Sequence, residues 1–223
     1  VIAETEQQAR DAAEKINADI KELPAVIDMA SALSGSNFVH DEIGTNQCYD
    51  WGWIEDNREA TDNAIKNAHH VTTLELVNNR LVPNAMEPRC SIADYNPAND
   101  DYTLYTTSQN PHLTRLLISA FVLGIPENKL TVVSPDVGGG FGSKIYHYGE
   151  EALVLAAAKR IKRPVRWTAT RSESFMTDAH GRDHVTKIEL ALDKDNNFLA
   201  FRTETMANVG AYLSNFSTVT PTI

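Results

Sequence analysis

Val137-Gly138-Gly139-Gly140-Phe141-Gly142-Ser143-Lys144 is the stretch on which the reading of this sequence turns. Just upstream, Lys129 to Ser134 reads as an apolar strand, and downstream Glu150 to Arg160 reads as a helix that ends before Pro164. Glycine loops between a strand and a helix cradle anions, because bare glycines let several backbone N–H groups converge on one oxygen-rich ligand. Two familiar loops are excluded by inspection. A nucleoside-triphosphate loop needs Gly immediately before its Lys, and Ser143 stands there. The dinucleotide fingerprint needs Gly three residues after Gly140, which is again Ser143. Two readings stay open: an anion cradle of another kind, or a turn that merely lets a strand and a helix pack closely.

Upstream of the loop, Asn110 caps a helix with Pro111 at its first position, where the missing N–H costs nothing. Leu113, Leu116, Leu117, Ala120 and Phe121 form its apolar stripe, and Gly124 ends it. Residues 71–77, 90–95, 102–107 and 165–170 read as strands. His184 to Leu192 and Phe198 to Ala207 read as a hairpin around Asp193-Lys194-Asp195-Asn196. At the other end, Thr5 and Gln8 have capping-box spacing, and Ala9, Ala12, Ala13 and Ile16 share a helix face. Residues 1–5 read as a buried strand, and residues 18–28, broken by Leu23-Pro24, as a bent or edge strand; the three pieces predict a small β-α-β unit. Ser31 to Asp56 is polar and irregular, a connecting segment expected to lie across a larger partner surface, and Ala60, Ala64 and Ala68 permit a short helix. The expected class is α+β, with mixed sheets and packed helices.

With 42% hydrophobic and 22% charged residues in 223, the chain has the profile of a folded globular protein, and disorder is excluded. Twenty basic against thirty acidic side chains give a net charge of -10, which repels a phosphate backbone and argues against nucleic acid as a partner. The apolar run Leu116 to Ile125 is far short of the roughly 20 residues that cross a bilayer. Cys48 and Cys90 form no C-x-x-C pair, and a structural zinc or iron–sulfur site needs about four such ligands. No metal-ligating side chain is therefore expected, a reducing compartment is, and any iron–sulfur or flavin centre belongs elsewhere. His69 and His70 diverge as neighbours must, and His147, His180 and His184 lack ligand spacing. Glu150 and Glu151 are expected to favour the N-terminus of their helix through its dipole. No G-x-S-x-G elbow supports a serine hydrolase. Both ends, Val1-Ile2-Ala3-Glu4-Thr5 and Val219-Thr220-Pro221-Thr222-Ile223, read as cuts inside a longer polypeptide.

Three motifs in order narrow the choice: Met86-Glu87-Pro88-Arg89, Thr107-Ser108-Gln109-Asn110-Pro111, and Gly138-Gly139-Gly140-Phe141-Gly142 with Lys144. Together they resemble the molybdenum hydroxylase family, the large molybdopterin-binding chains of xanthine dehydrogenase, aldehyde oxidase and aerobic carbon monoxide dehydrogenase. The resemblance covers almost the whole chain. It implies that residues 1–30 end an α/β hammerhead domain, 31–59 connect, and 60–223 begin the molybdenum-cofactor-binding domain. It also implies a molybdopterin-type cofactor touched by Gln109, Gly139, Gly140, Phe141 and Gly142. Gln109 resembles the neutral amide near the apical side of molybdenum, and with Phe141 it takes the catalytic positions; the alternative for Gln109 is a helix cap, and Phe141 is compatibly a core anchor. Lys144 either offsets the pterin phosphate or is solvated or structural.

Residues 79–89, 143–151 and Gly210-Ala211-Tyr212 are closest to the carbon monoxide dehydrogenase branch, whereas Ile145 replaces the Glu of purine hydroxylases and argues against xanthine. The implied reaction oxidises a small substrate with water as oxygen source. Electrons then pass to an iron–sulfur small subunit and an FAD-bearing flavin medium subunit in an oligomeric complex, cytoplasmic or membrane-associated through those partners. An aldehyde, nicotinate or isoquinoline type hydroxylase and a non-catalytic scaffold are the rivals.

Overall fold

Strands β1 (His70–Asn78), β2 (Cys90–Asn96), β3 (Asp101–Thr106), β4 (Leu130–Val133), β5 (Val165–Thr168), β6 (His184–Leu192) and β7 (Phe198–Ala207) alternate with helices in the mixed α+β order expected from the sequence. The α-helices are α1 (Glu6–Ala13), α2 (Met29–Ser34), α3 (Arg58–Asn67), α4 (Pro111–Leu117), α5 (Gly149–Ile161) and α6 (Arg171–Thr177). The computed structural model describes residues 1–53 and 55–216, with Glu55 described by its backbone alone. The chain divides into two compact units, each assembled from separate stretches. One joins Val1–Leu23 to Pro83–Ala179, and the other joins Pro24–Val82 to the segment from His180.

The first unit carries the four-stranded sheet β4-β3-β2-β5, in which β3 and β4 run parallel and the other pairs antiparallel. A tight turn joins β2 to β3: Asn96 accepts the Ala98 N–H and Asp100 takes a left-handed conformation. The parallel β3–β4 pair requires a helical crossover, and α4 supplies it, capped by the Asn110 carboxamide on the Leu113 N–H. The expected single helix to Leu123 widens into a π-helical stretch at Ile118–Leu123. The Ser119 hydroxyl donates to the Arg115 carbonyl at 2.6 Å inside the turn, which loosens the regular ladder, and Gly124 then closes the helix at φ +62°. The α5 helix lies on the sheet through Val154, Leu155 and Ala158, packed with Ala93, Tyr102, Leu104, Ile118 and Leu130 in one core. Each large aliphatic side chain buried there contributes ~1.5–3 kcal/mol.

The second unit carries the antiparallel sheet β1-β6-β7. Asp193 accepts N–H groups from Asp195 and Asn197, and Asn196 takes the left-handed position that the hairpin turn requires. Arg202 on β7 reaches both Glu189 on β6 and Asp62 on α3, which ties that helix to the sheet.

The N-terminal β-α-β expectation is corrected. Thr5 and Gln8 make both bonds of the capping box and α1 forms, but Ile16 lies beyond its end. Residues 1–5 and 18–28 are not strands, and Val1, Ile2, Ile20 and Ile27 are exposed. A strand exists only through a hydrogen-bonded neighbour, and among the described residues no strand runs beside these segments; Pro24 also removes a donor. The irregular segment gains unforeseen helical structure: α2 at its start, capped by Asp28 on the Ser31 N–H, and a 3-10 turn at Glu55–Asn57. Among the described residues, no helix is long and apolar enough to cross a membrane.

Candidate cofactor-binding loop

The glycine loop of the first unit is pinned at both ends, and between them the Gly140 carbonyl accepts the Ser143 N–H (3.0 Å) and hydroxyl (2.9 Å). At its downstream end, Gln109 Oε1 accepts the N–H groups of Gly142 (3.1 Å) and Lys144 (3.2 Å), and the Gln109 N–H donates to the Lys144 carbonyl (2.9 Å). Gln109 does not cap α4; Asn110 does that. The Gln109 chain lies directly over Gly140, where an added Cβ would stand 2.3 Å from Oε1. Only glycine allows so close an approach.

At the upstream end, the Gly138 N–H donates to Glu87 Oε2 at 2.7 Å, and the Glu87 N–H returns a bond to the Gly138 carbonyl at 3.3 Å. Lys144 is buried, and its ammonium donates to the Glu87 carbonyl (2.8 Å) and Oε2 (3.0 Å). Its charge therefore answers Glu87, and the expectation that it faces a pterin phosphate is set aside in favour of the structural one. The partner of Lys144 was missed in the sequence. The one signal for it was the position of Glu87 inside the Met86–Arg89 motif.

Between these pins the backbone changes hand repeatedly, with φ of +95° at Gly139, +51° at Phe141 and +92° at Gly142. A left-handed phenylalanine stores ~1–3 kcal/mol, which the flanking hydrogen bonds sustain. The Phe141 ring is 75% exposed, so it is no core anchor. Among the described residues, the N–H groups of Gly139, Gly140 and Phe141 meet no acceptor, and neither does the Gln109 amide nitrogen. Both lone-pair directions of Gln109 Oε1 are occupied by the Gly142 and Lys144 N–H groups, so what its side chain has left to offer is the donating amide nitrogen. Unpaired N–H groups on consecutive residues of a glycine loop suit an anionic, oxygen-rich group.

Behind the loop, β2, α5 and α6 converge on the buried Arg89. Its guanidinium donates to Asp178 (2.6 Å), to both oxygens of Glu150 (3.0 and 3.4 Å) and to Thr177 (2.9 Å), and stacks 3.7 Å from the Tyr148 ring centre. Burial opposes the charge of Arg89, but the two carboxylates more than restore it, and its pKa is raised. Burial likewise pulls Glu150 upward, and the Arg89 hydrogen bonds reverse this, leaving its carboxyl below the ordinary value. Glu150 thus serves as an ion-pair partner, beyond its place at the helix start.

Glu151 is buried and accepts from the Thr106 hydroxyl (3.0 Å) and the Tyr148 N–H (3.2 Å), with His147 Nδ1 at 2.9 Å. Burial pushes the Tyr148 phenol up to about 12, against the Ala179 N–H and Arg89, so it stays protonated and donates to the Ser143 carbonyl at 2.6 Å. The loop therefore rests on a rigid base. A cavity of about 10 Å³, room for a single water, lies among Arg89, Thr106, Lys144, Tyr148 and Glu151.

The structure brings all five expected site residues, Gln109, Gly139, Gly140, Phe141 and Gly142, into one loop-and-clip assembly. Among the described residues, no group of three His, Cys, Asp or Glu could hold a metal ion.

Residues 39–223 match the family model described as a molybdopterin cofactor-binding domain. The carbon monoxide dehydrogenase large chain of Hydrogenophaga pseudoflava is 34% identical over 95% of this chain and 28% of its own length. The nicotine 6-hydroxylase large subunit of Paenarthrobacter nicotinovorans is 30% identical over 95% of this chain and 26% of its own. The crystal structure of quinoline 2-oxidoreductase from Pseudomonas putida 86 superposes with a TM-score of 0.86 at 30% identity, covering 96% of this chain and 27% of that one. The chain spans about a quarter of the length of these relatives.

Proposed function

The chain belongs to the molybdopterin cofactor-binding domain family of molybdenum hydroxylase large subunits, and from that premise we propose that Gln109 and the Gly138–Gly142 loop form one wall of its molybdenum-cofactor site. The observation that carries this reading is the donor face made by the N–H groups of Gly139, Gly140 and Phe141 with the Gln109 amide. The molybdenum end of the cofactor is rich in oxygen and sulfur acceptors, so the residues present fit it. Bound there, the cofactor supplies a two-electron oxidant with water as the source of oxygen.

The chain's own residues do the holding. Gln109 donates through its amide without adding charge, and its oxygen, tied to Gly142 and Lys144, keeps that amide from swinging. Phe141 projects an apolar ring beside the same backbone. The reading extends to a large subunit several times longer than this chain, with residues 1–30 closing a hammerhead domain and 60–223 opening the cofactor domain. Such a subunit oxidises a small substrate, as the carbon monoxide dehydrogenase relative does. Electrons leave to iron–sulfur and FAD-bearing subunits of a cytoplasmic complex, which those partners can bring to a membrane.

A second reading, hydroxylation of an N-heterocycle, is favoured by the nicotine and quinoline enzymes at comparable identity. The full-length protein with its partner subunits is expected to carry stoichiometric molybdenum and to reduce a dye acceptor with carbon monoxide. Turnover of quinoline or nicotine without carbon monoxide oxidation selects the second reading. Absence of molybdenum overturns both and leaves a scaffold.

A further inference from the structure

The donor face is held from two sides, and Glu87 holds the side that no site assignment includes. The geometry points to Glu87 as a positioning residue that aims the loop's free N–H groups, with Lys144 as the counter-charge that makes a carboxylate tolerable beside an anion site. This inference rests on the cofactor-wall reading.

The backbone of Gly138 is fully engaged by Glu87, its N–H by Oε2 and its carbonyl by the Glu87 N–H. Gly138 is thereby fixed, and the chain leaves it with the next three N–H groups unpaired among the described residues. The fit leaves no slack: a Cβ on Gly138 would stand 2.6 Å from the Glu87 Cβ. Yet the Glu87 side chain is 36% exposed, close to a face read as built for an anion. An uncompensated carboxylate there would repel the ligand it helps to place. Lys144, 1% exposed, puts its ammonium 3.0 Å from that carboxylate and removes the net charge. Lys144 does not stand well alone, because a buried ammonium stripped of its carboxylate is left uncompensated.

The test is a charge cycle in the full-length complex: Glu87→Gln, Lys144→Met, the double variant, and Glu87→Asp. Molybdenum per folded chain is measured beside the melting temperature, with kcat and KM taken separately. Lys144→Met, which strands the carboxylate beside the anion site, is expected to lower molybdenum retention about tenfold, the effect of ~1.4 kcal/mol, whereas Glu87→Gln keeps an acceptor for the Gly138 N–H and is expected to lower the melting temperature more than the retention. The double variant restores most of it, because neutrality returns and the amide oxygen introduced by Glu87→Gln still accepts the Gly138 N–H. Glu87→Asp, which keeps the charge but withdraws it by one methylene, is expected to fold and to lose retention. Full retention in Glu87→Asp and Lys144→Met overturns the inference, even where the melting temperature falls. A double variant no better than Lys144→Met alone overturns the neutralising role of Lys144. A wild-type complex without molybdenum overturns the cofactor-wall reading first, and this inference with it.

Discussion

Gly140 and Gln109 occupy almost the same space, and that fact decides what substitutions at either will do. A Cβ at Gly140 would stand 2.3 Å from Gln109 Oε1 and 2.5 Å from its Cδ, well inside contact. Gly140→Val must displace Gln109 and release the Gly142 and Lys144 N–H bonds, each worth ~0.5–1.5 kcal/mol. A stability loss of ~1–3 kcal/mol is expected on that basis, together with a sharp fall in molybdenum per folded chain; unchanged metal loading and turnover would leave the loop as packing. Gln109→Ala removes the clip without adding bulk. Turnover of the full-length enzyme should drop more than its stability, and a lowered melting temperature with turnover intact would confine Gln109 to holding the loop. Gln109 was legible in the sequence because it sits one residue before a helix cap in a recognisable motif. The Glu87–Lys144 pair was not, since its members are 57 residues apart and no periodicity records which buried ammonium will meet which carboxylate.

Three elements meet at Arg89, which binds Glu150 from α5 and Asp178 just past α6 while its own residue adjoins β2. The folded-state pKa of Glu150 lies below its ordinary 4.5, so the pair adds stability that is fully present above that value and is lost as pH falls through the folded pKa. Melting temperature is therefore expected to decline as pH drops below 4.5, and Glu150→Gln to flatten that decline. An unaltered acid slope in the variant would assign it to other carboxylates. Elements with their own signals were readable: the Asn110 cap, Pro111 and Gly124 bound the α4 region, and the Asp193–Asn196 turn fixed the β6–β7 hairpin. Residues 1–5 and 18–28 were not, because local composition makes a segment eligible for a sheet and only a neighbour makes it a strand. The π-helical stretch also escaped, since the apolar stripe from Leu113 to Phe121 reads the same in a regular and in a widened turn.

At the scale of the molecule, a chain a quarter the length of its relatives leaves Phe121, Phe141, Trp53 and Met86 each more than 70% exposed. A cofactor-sized ligand is normally held in a cleft that buries most of its surface, and the loop supplies only one side of such a cleft. Where the metal lies therefore decides between a cofactor wall and a packing loop. Anomalous diffraction at the molybdenum edge, collected on crystals of the full-length complex, locates it directly. One strong peak is expected to face the Gly139–Phe141 backbone, with the Gln109 amide nitrogen turned toward it. A peak remote from this loop, or a loop whose N–H groups meet only protein or solvent in a molybdenum-loaded crystal, would contradict the cofactor-wall reading.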